Sequence, residues 1–166
     1  MMAIAFFTAW LSPRLASADR LLGGLLLSCC LLVSGCEGTP DFNAAAAPEG
    51  VVQVLTLDDE GNVSESPSTF QATVNRKDHQ IVLVDFWAPW CGPCLQMSPQ
   101  IEKVKQKWKD QVDVVKVNVD ANPELAIHFQ IETIPRVFVF RNGTVVKSID
   151  GYTREAEFSA ILTSLQ

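Results

Sequence analysis

The residues of this 166-residue chain best suited to chemistry are Cys91 and Cys94, in the stretch "IVLVDFWAPWCGPC" that spans 81–94. Two cysteines at this spacing, between an apolar strand-like run and a helical stretch, can bind a metal, form an inert staple, or cycle between dithiol and disulfide. A structural zinc site takes four ligands, and His79 and His128 lie far off in sequence. No metal is therefore expected, and no cofactor. A staple closing so short a ring constrains the unfolded chain little, which leaves redox cycling. With a helix beginning at Cys91, its thiolate lies by the free N–H groups of the first turn, at the positive end of the helix dipole, and the thiol pKa falls. Pro93 fits an early helical position, where no backbone N–H is missed. Cys94, one turn deeper, is expected to be shielded, so Cys91 is assigned the attack on a substrate disulfide and Cys94 the resolution of the mixed disulfide.

Asp85 is the anomaly of the preceding run. Period-2 alternation places it on one strand face with Leu83 and Trp87, so it should be buried, with its charged form disfavoured. A carboxylate that ionises reluctantly can accept a proton near neutral pH. Lys116, on a neighbouring strand, is the expected charge partner. The bland alternative is a strand-end carboxylate with a satisfied hydrogen bond.

The elements that must position these groups follow from periodicity. "VVQVLTL" reads as a first strand and "DDEGN" as a turn. A helix is expected over 67–77, capped by Ser66 with Pro67 in its first turn. "QIVLVDFW" is a buried strand. The helix up to Trp108 places Ile101, Val104 and Trp108 on one face, with Pro99 as a kink, and its lysines from Lys103 to Lys109 are expected to be a solvated surface. "VDVVKVNV" is a third strand, and Asn122 with Pro123 opens a short helix. "RVFVF" and "TVVKSI" form a hairpin around Asn142–Gly143. A last helix turns Phe158, Ile161, Leu162 and Leu165 to the sheet. The expected order is β-α-β-α-β-α-β-β-α, an α/β domain.

The first residues are compositionally separate. Arg14 and Arg20 precede "LLGGLLLSCCLLV", which is too short for a bilayer-spanning helix and has the layout of a secretory leader. "VSGC", ending at Cys36, resembles the lipobox of bacterial lipoproteins, in which the cysteine carries a diacylglyceryl group. The alternatives are an uncleaved anchor and an ordinary leader with a chance cysteine. The division expected is a signal peptide over 1–35, a flexible tether over 36–50 and a domain over 51–166. Cys29 and Cys30 would leave with the leader, and a lipidated Cys36 leaves no odd thiol beside the Cys91–Cys94 pair. A net charge of −6 argues against a sequence-independent grip on nucleic acid.

"VDFWAPWCGPC", together with "KVNVDANP", "TIP", "NG" and Gly151, is similar to the thioredoxin family over roughly 51–166. The resemblance implies a thioredoxin fold, a central mixed sheet with helices on both faces, and a monomeric thiol-disulfide oxidoreductase. It implies that Pro135 is the cis-proline facing the dithiol, and that Asp85 serves as proton acceptor for Cys94. It also implies substrate contacts from Trp90, Gly92, Pro93, Ile134, Pro135 and Arg136. Arg136, next to that proline, is expected to border the groove near Cys91. Gly-Pro between the cysteines resembles reductants more than dedicated oxidases. With the leader, the expected setting is the extracytoplasmic side of a bacterial cell envelope. There the chain would be anchored through Cys36, act on disulfide-containing envelope proteins and be recharged by an unidentified electron donor. The rival is a non-catalytic binding module whose disulfide is static. Leu95 and Arg136 stand where the family commonly has a lysine and a threonine, which bears on partner choice.

Overall fold

The computed structural model describes residues 42–166 except 79. Six strands, β1 (Val51–Leu57), β2 (Val63–Thr69), β3 (Ile81–Trp87), β4 (Val112–Asn118), β5 (Arg136–Arg141) and β6 (Thr144–Asp150), form one sheet in the order β2-β1-β4-β3-β5-β6. β3 and β4 are parallel and every other pair is antiparallel. The helices are α1 (Phe70–Val74), α2 (Gly92–Trp108), α3 (Pro123–His128) and α4 (Glu155–Ser164). α1 and α3 cover one face, α2 and α4 the other, so the central strands are buried on both sides and read as continuous apolar runs. The leader, Cys36 and His79 lie outside the described residues.

The face under α1 and α3 is built from phenylalanines. Phe129, fully buried, has ring centroids of Phe70, Phe86, Phe138 and Phe140 at 5.3–5.8 Å. Burying each such ring contributes roughly 1.5–3 kcal/mol. On the opposite face Met97, Ile101, Val104 and Trp108 form one buried stripe of α2, at the i, i+4, i+7 spacing of an amphipathic helix. Trp108 Nε1 donates to Ser159 Oγ at 3.0 Å and ties α2 to α4. The expected hairpin forms at Asn142 and Gly143, both at positive φ (53° and 77°), as a two-residue turn of this kind requires.

Three expectations need correction. The helix expected over 67–77 is instead the end of β2 followed by the five-residue α1. Its cap is Thr69, which accepts from the Ala72 N–H, and not Ser66. Pro67 is tolerated because β2 is an edge strand, and the polar alternation of 63–69 pairs along the whole of β1. Asp58 closes this added hairpin by accepting from both Asn62 N (2.7 Å) and Asn62 Nδ2 (2.8 Å).

The flexible tether expected over 36–50 is docked from Phe42 onward. Phe42 packs edge-on against Phe129 and tilted against Phe138, Asn43 bridges to Thr144, and Ala44 is fully buried. Ala44–Ala46 form one 3-10 turn, and Gln71 Nε2 donates to the carbonyls of Ala44 and Ala47. Among the lysines of α2, Lys105 is buried, donating to Lys109 O at 3.0 Å and Val112 O at 3.2 Å with Asp113 as its counter-ion. Its charge caps the end of the helix it belongs to.

Candidate active site

β3 and β4 deliver their carboxyl ends side by side, and Val119 N donates to Trp87 O at 3.0 Å to extend the pairing by one residue. The chain then turns through Ala88–Trp90 into α2. Cys91 is the N-cap of that helix, and Cys91 N donates to Ala88 O at 3.1 Å. Cys91 and Cys94 are joined in a disulfide with their Cα atoms 5.2 Å apart. The Cys94 N–H donates to Cys91 Sγ at 3.2 Å. One of the free N–H groups of the first turn thus already faces the sulfur on which a thiolate would form.

Cys94 is enclosed, in keeping with its deeper position, and Cys91, expected to be the exposed one of the pair, is enclosed almost as fully. Cys91 is 5% exposed and Cys94 2% exposed, with Ala88, Trp87, Val119 and Ile134 packed around them. In the disulfide form their difference therefore lies less in exposure than in position, since Cys91 is the cap and Cys94 is inside the helix. Gly92 and Pro93 form the exposed tip of the first turn, and Leu95 just beyond is 52% exposed.

Pro135 is buried and follows a cis Ile134–Pro135 bond, and its carbonyl accepts from Gly151 N at 2.9 Å. Beside it a shallow groove of about 300 Å³ is lined by Trp90, Val119, Ile127, Ile131 and Ile134. Trp90 is 69% exposed and fixed by an Nε1 donation to Asp120 Oδ2 at 2.9 Å. Asp120 and Ile127 were missed in the sequence, where nothing marks a turn aspartate or a helix isoleucine as neighbours of the dithiol. Arg136 differs from its expected position. Its guanidinium pairs with Asp150 and lies 5.3 Å over the Phe138 ring, on the phenylalanine face of β5.

Asp85 is 1% exposed, and its Oδ1 accepts no hydrogen bond. Burial pushes the carboxyl from 3.8 up to about 7, with Lys116 pulling the other way. Lys116 faces Asp85 in register across the parallel pair. Its ammonium, however, donates to Glu65 Oε1 at 2.6 Å and lies 4.5 Å from the Trp87 ring centroid. The expected charge partner acts on Asp85 through space, while its ion pair is with a residue of β2 that the sequence reading assigned to no role. Among the described residues no cluster of three or more His, Cys, Asp or Glu side chains could hold a metal.

The profile of the family described as Thioredoxin matches residues 62–164. Thioredoxin 1 of Synechococcus elongatus is 49% identical over 70 residues, 42% of this chain and 65% of that protein, so the alignment spans less than two thirds of its length. Thioredoxin 1 of a Nostoc species is 40% identical over 95 residues, 57% of this chain and 88% of that protein. A crystal structure of chloroplastic thioredoxin z, 28% identical, covers 53% of this chain and 80% of its own, with a TM-score of 0.49. Among the described residues the profile takes in α1 to α4 and all strands but β1, and with the cystine at the head of α2 it establishes that the chain belongs to the thioredoxin family.

Proposed function

We propose that this chain is a membrane-anchored thiol-disulfide oxidoreductase that reduces or exchanges disulfides in cell-envelope proteins. The observation that carries the chemistry is the Cys91–Cys94 disulfide at the N-terminus of α2 in a thioredoxin domain. In the reducing direction the Cys91 thiolate attacks one sulfur of a substrate disulfide, forming a mixed disulfide and releasing the other sulfur as a thiolate. Asp85 takes the proton of Cys94, whose thiolate attacks Cys91 Sγ. The bond between Cys91 and substrate breaks, the second substrate sulfur leaves as a thiolate that water protonates, and the Cys91–Cys94 disulfide forms. Two electrons pass from protein to substrate, and a separate dithiol donor must return them. The groove by Pro135 is the surface on which an extended substrate segment would lie, against Trp90 and Ile134.

Insulin reduction with dithiothreitol tests this reading. The natural chain is expected to hasten precipitation of the insulin B chain, and Cys91→Ser to fall back to the rate of dithiothreitol alone. Equal rates for both would make the disulfide a static feature of a binding module.

The envelope setting is supported by the leader-like first segment and by "VSGC". Cys36→Ser is expected to abolish incorporation of labelled fatty acid and to release or misprocess the protein, with insulin reduction unchanged. One acyl chain anchors marginally and two or more stably, since each buried CH₂ adds about 0.8 kcal/mol. Retention of Cys36→Ser on membranes would point to an uncut leader instead.

A further inference from the structure

The β1–β2 hairpin does more than widen the sheet. β1 precedes the family-matched segment 62–164, yet it lies between β2 and β4. In the register, Gln53 of β1 stands opposite Lys116 and Leu55 opposite Glu65. The Glu65 carboxylate therefore reaches diagonally across a whole strand to accept from Lys116 Nζ at 2.6 Å. Lys116 is 8% exposed, and a cavity of about 650 Å³ beside it is lined by Glu65, Trp87, Asn118 and Asn122 among others. A cation so little hydrated needs a counter-ion. Besides Glu65, the acidic side chain opposite it is Asp85, its register partner on β3.

The charged groups facing Asp85 are Lys116, its register partner on β4, and Glu65, which pairs with that lysine from β2, while β5 presents Val137 opposite it. We propose that Glu65 is a positioning residue for the resolving step: by engaging Lys116 it leaves Asp85 a buried carboxylate without a direct cation, able to keep the proton that Cys94 gives up. The inference rests on the reading of Asp85 as that proton acceptor. Without Glu65, Lys116 turns its ammonium to Asp85, which then ionises readily and becomes a weaker base. The burial that holds Asp85 near neutrality and the opposing pull of Lys116 agree with this balance.

The test is the pH dependence of mixed-disulfide resolution in single turnovers, measured for the full chain, Glu65→Gln, Lys116→Gln, the double variant and Asp85→Asn. Glu65→Gln is expected to lower the midpoint of the acid limb by about one pH unit, the scale on which an adjacent opposite charge shifts a carboxylate. Lys116→Gln should raise it, and the double variant should match Lys116→Gln alone, because Glu65 acts only through the lysine. A merely structural Glu65 would change thermal stability and leave the midpoint in place. An unmoved midpoint in Glu65→Gln, or the same downward shift in the Lys116→Gln background, overturns the proposal. An acid limb that survives Asp85→Asn overturns the reading of Asp85 itself, whereas a limb abolished by Asp85→Asn but unmoved by Glu65→Gln removes Glu65 alone.

Discussion

Asp85→Asn is expected to stabilise the oxidised domain by on the order of 4 kcal/mol at pH 8 and by almost nothing at pH 4. The native carboxyl titrates at about 7 because it is buried, against an ordinary value of 3.8 in the unfolded chain. Below about 3.8 it is protonated in both states and imposes no penalty. As pH rises from there toward 7 the unfolded chain releases its proton while the folded one keeps it, so the natural protein loses stability progressively. Above 7 both are ionised and the loss is complete. The gap between 3.8 and about 7, at 1.36 kcal/mol for each pH unit, gives the magnitude of about 4 kcal/mol. Asparagine is nearly isosteric and does not titrate, so the difference between the two proteins isolates this one group from all others. Guanidinium unfolding of both at pH 4, 6 and 8 measures it, and a constant difference across the three would show that Asp85 is not held neutral by the fold. The same substitution should slow resolution of a mixed disulfide about a hundredfold, the lower end of what a positioned general base contributes. A protein that gains stability and loses rate at one position is expected where a buried charge is kept for chemistry.

Cys94→Ser should convert the protein from one in which mixed disulfide is transient to one in which it accumulates to about one equivalent on Cys91. The N-cap position of Cys91, with the Cys94 N–H 3.2 Å from its sulfur, is retained when the side chain at 94 changes, so attack on substrate continues. Serine has no thiolate with which to expel the substrate sulfur, and the adduct persists. Cys91→Ser should give no comparable adduct, since Cys94 lies inside the helix and lacks the N-cap position that favours a thiolate at Cys91. Incubation with a peptide disulfide, acid quenching and intact-mass measurement give the result directly. Equal adducts on both variants would show that the two sulfurs exchange roles once the disulfide opens. The small difference between their exposures, 5% and 2%, makes this the sharper measurement of the division of labour than alkylation of the reduced protein.

How much was legible without the structure depended on how local each determinant is. The redox pair, its helix, the Asn142–Gly143 hairpin, the apolar stripe of α2 and, except for Ile161, that of α4 follow from spacing alone, because they are set by backbone periodicity and by the turn chemistry of a few adjacent residues. Burial of Asp85 was legible for the same reason: a residue in the middle of an apolar strand has nowhere else to go. The N-terminal part of the domain was not. Ser66 and Pro67 are good helix-start residues by local preference, and only the pairing of 63–69 with β1 turned that preference into an edge strand. Docking of Phe42 depended on phenylalanines at 129 and 138 that are remote in sequence. The role of Lys116 was decided the same way. Its place opposite Asp85 could be inferred from the adjacent β3 and β4, but its ion pair with Glu65 depends on β2, which β1 separates from β4. No local pattern can encode it, because a contact between side chains two strands apart exists only once the sheet order is set.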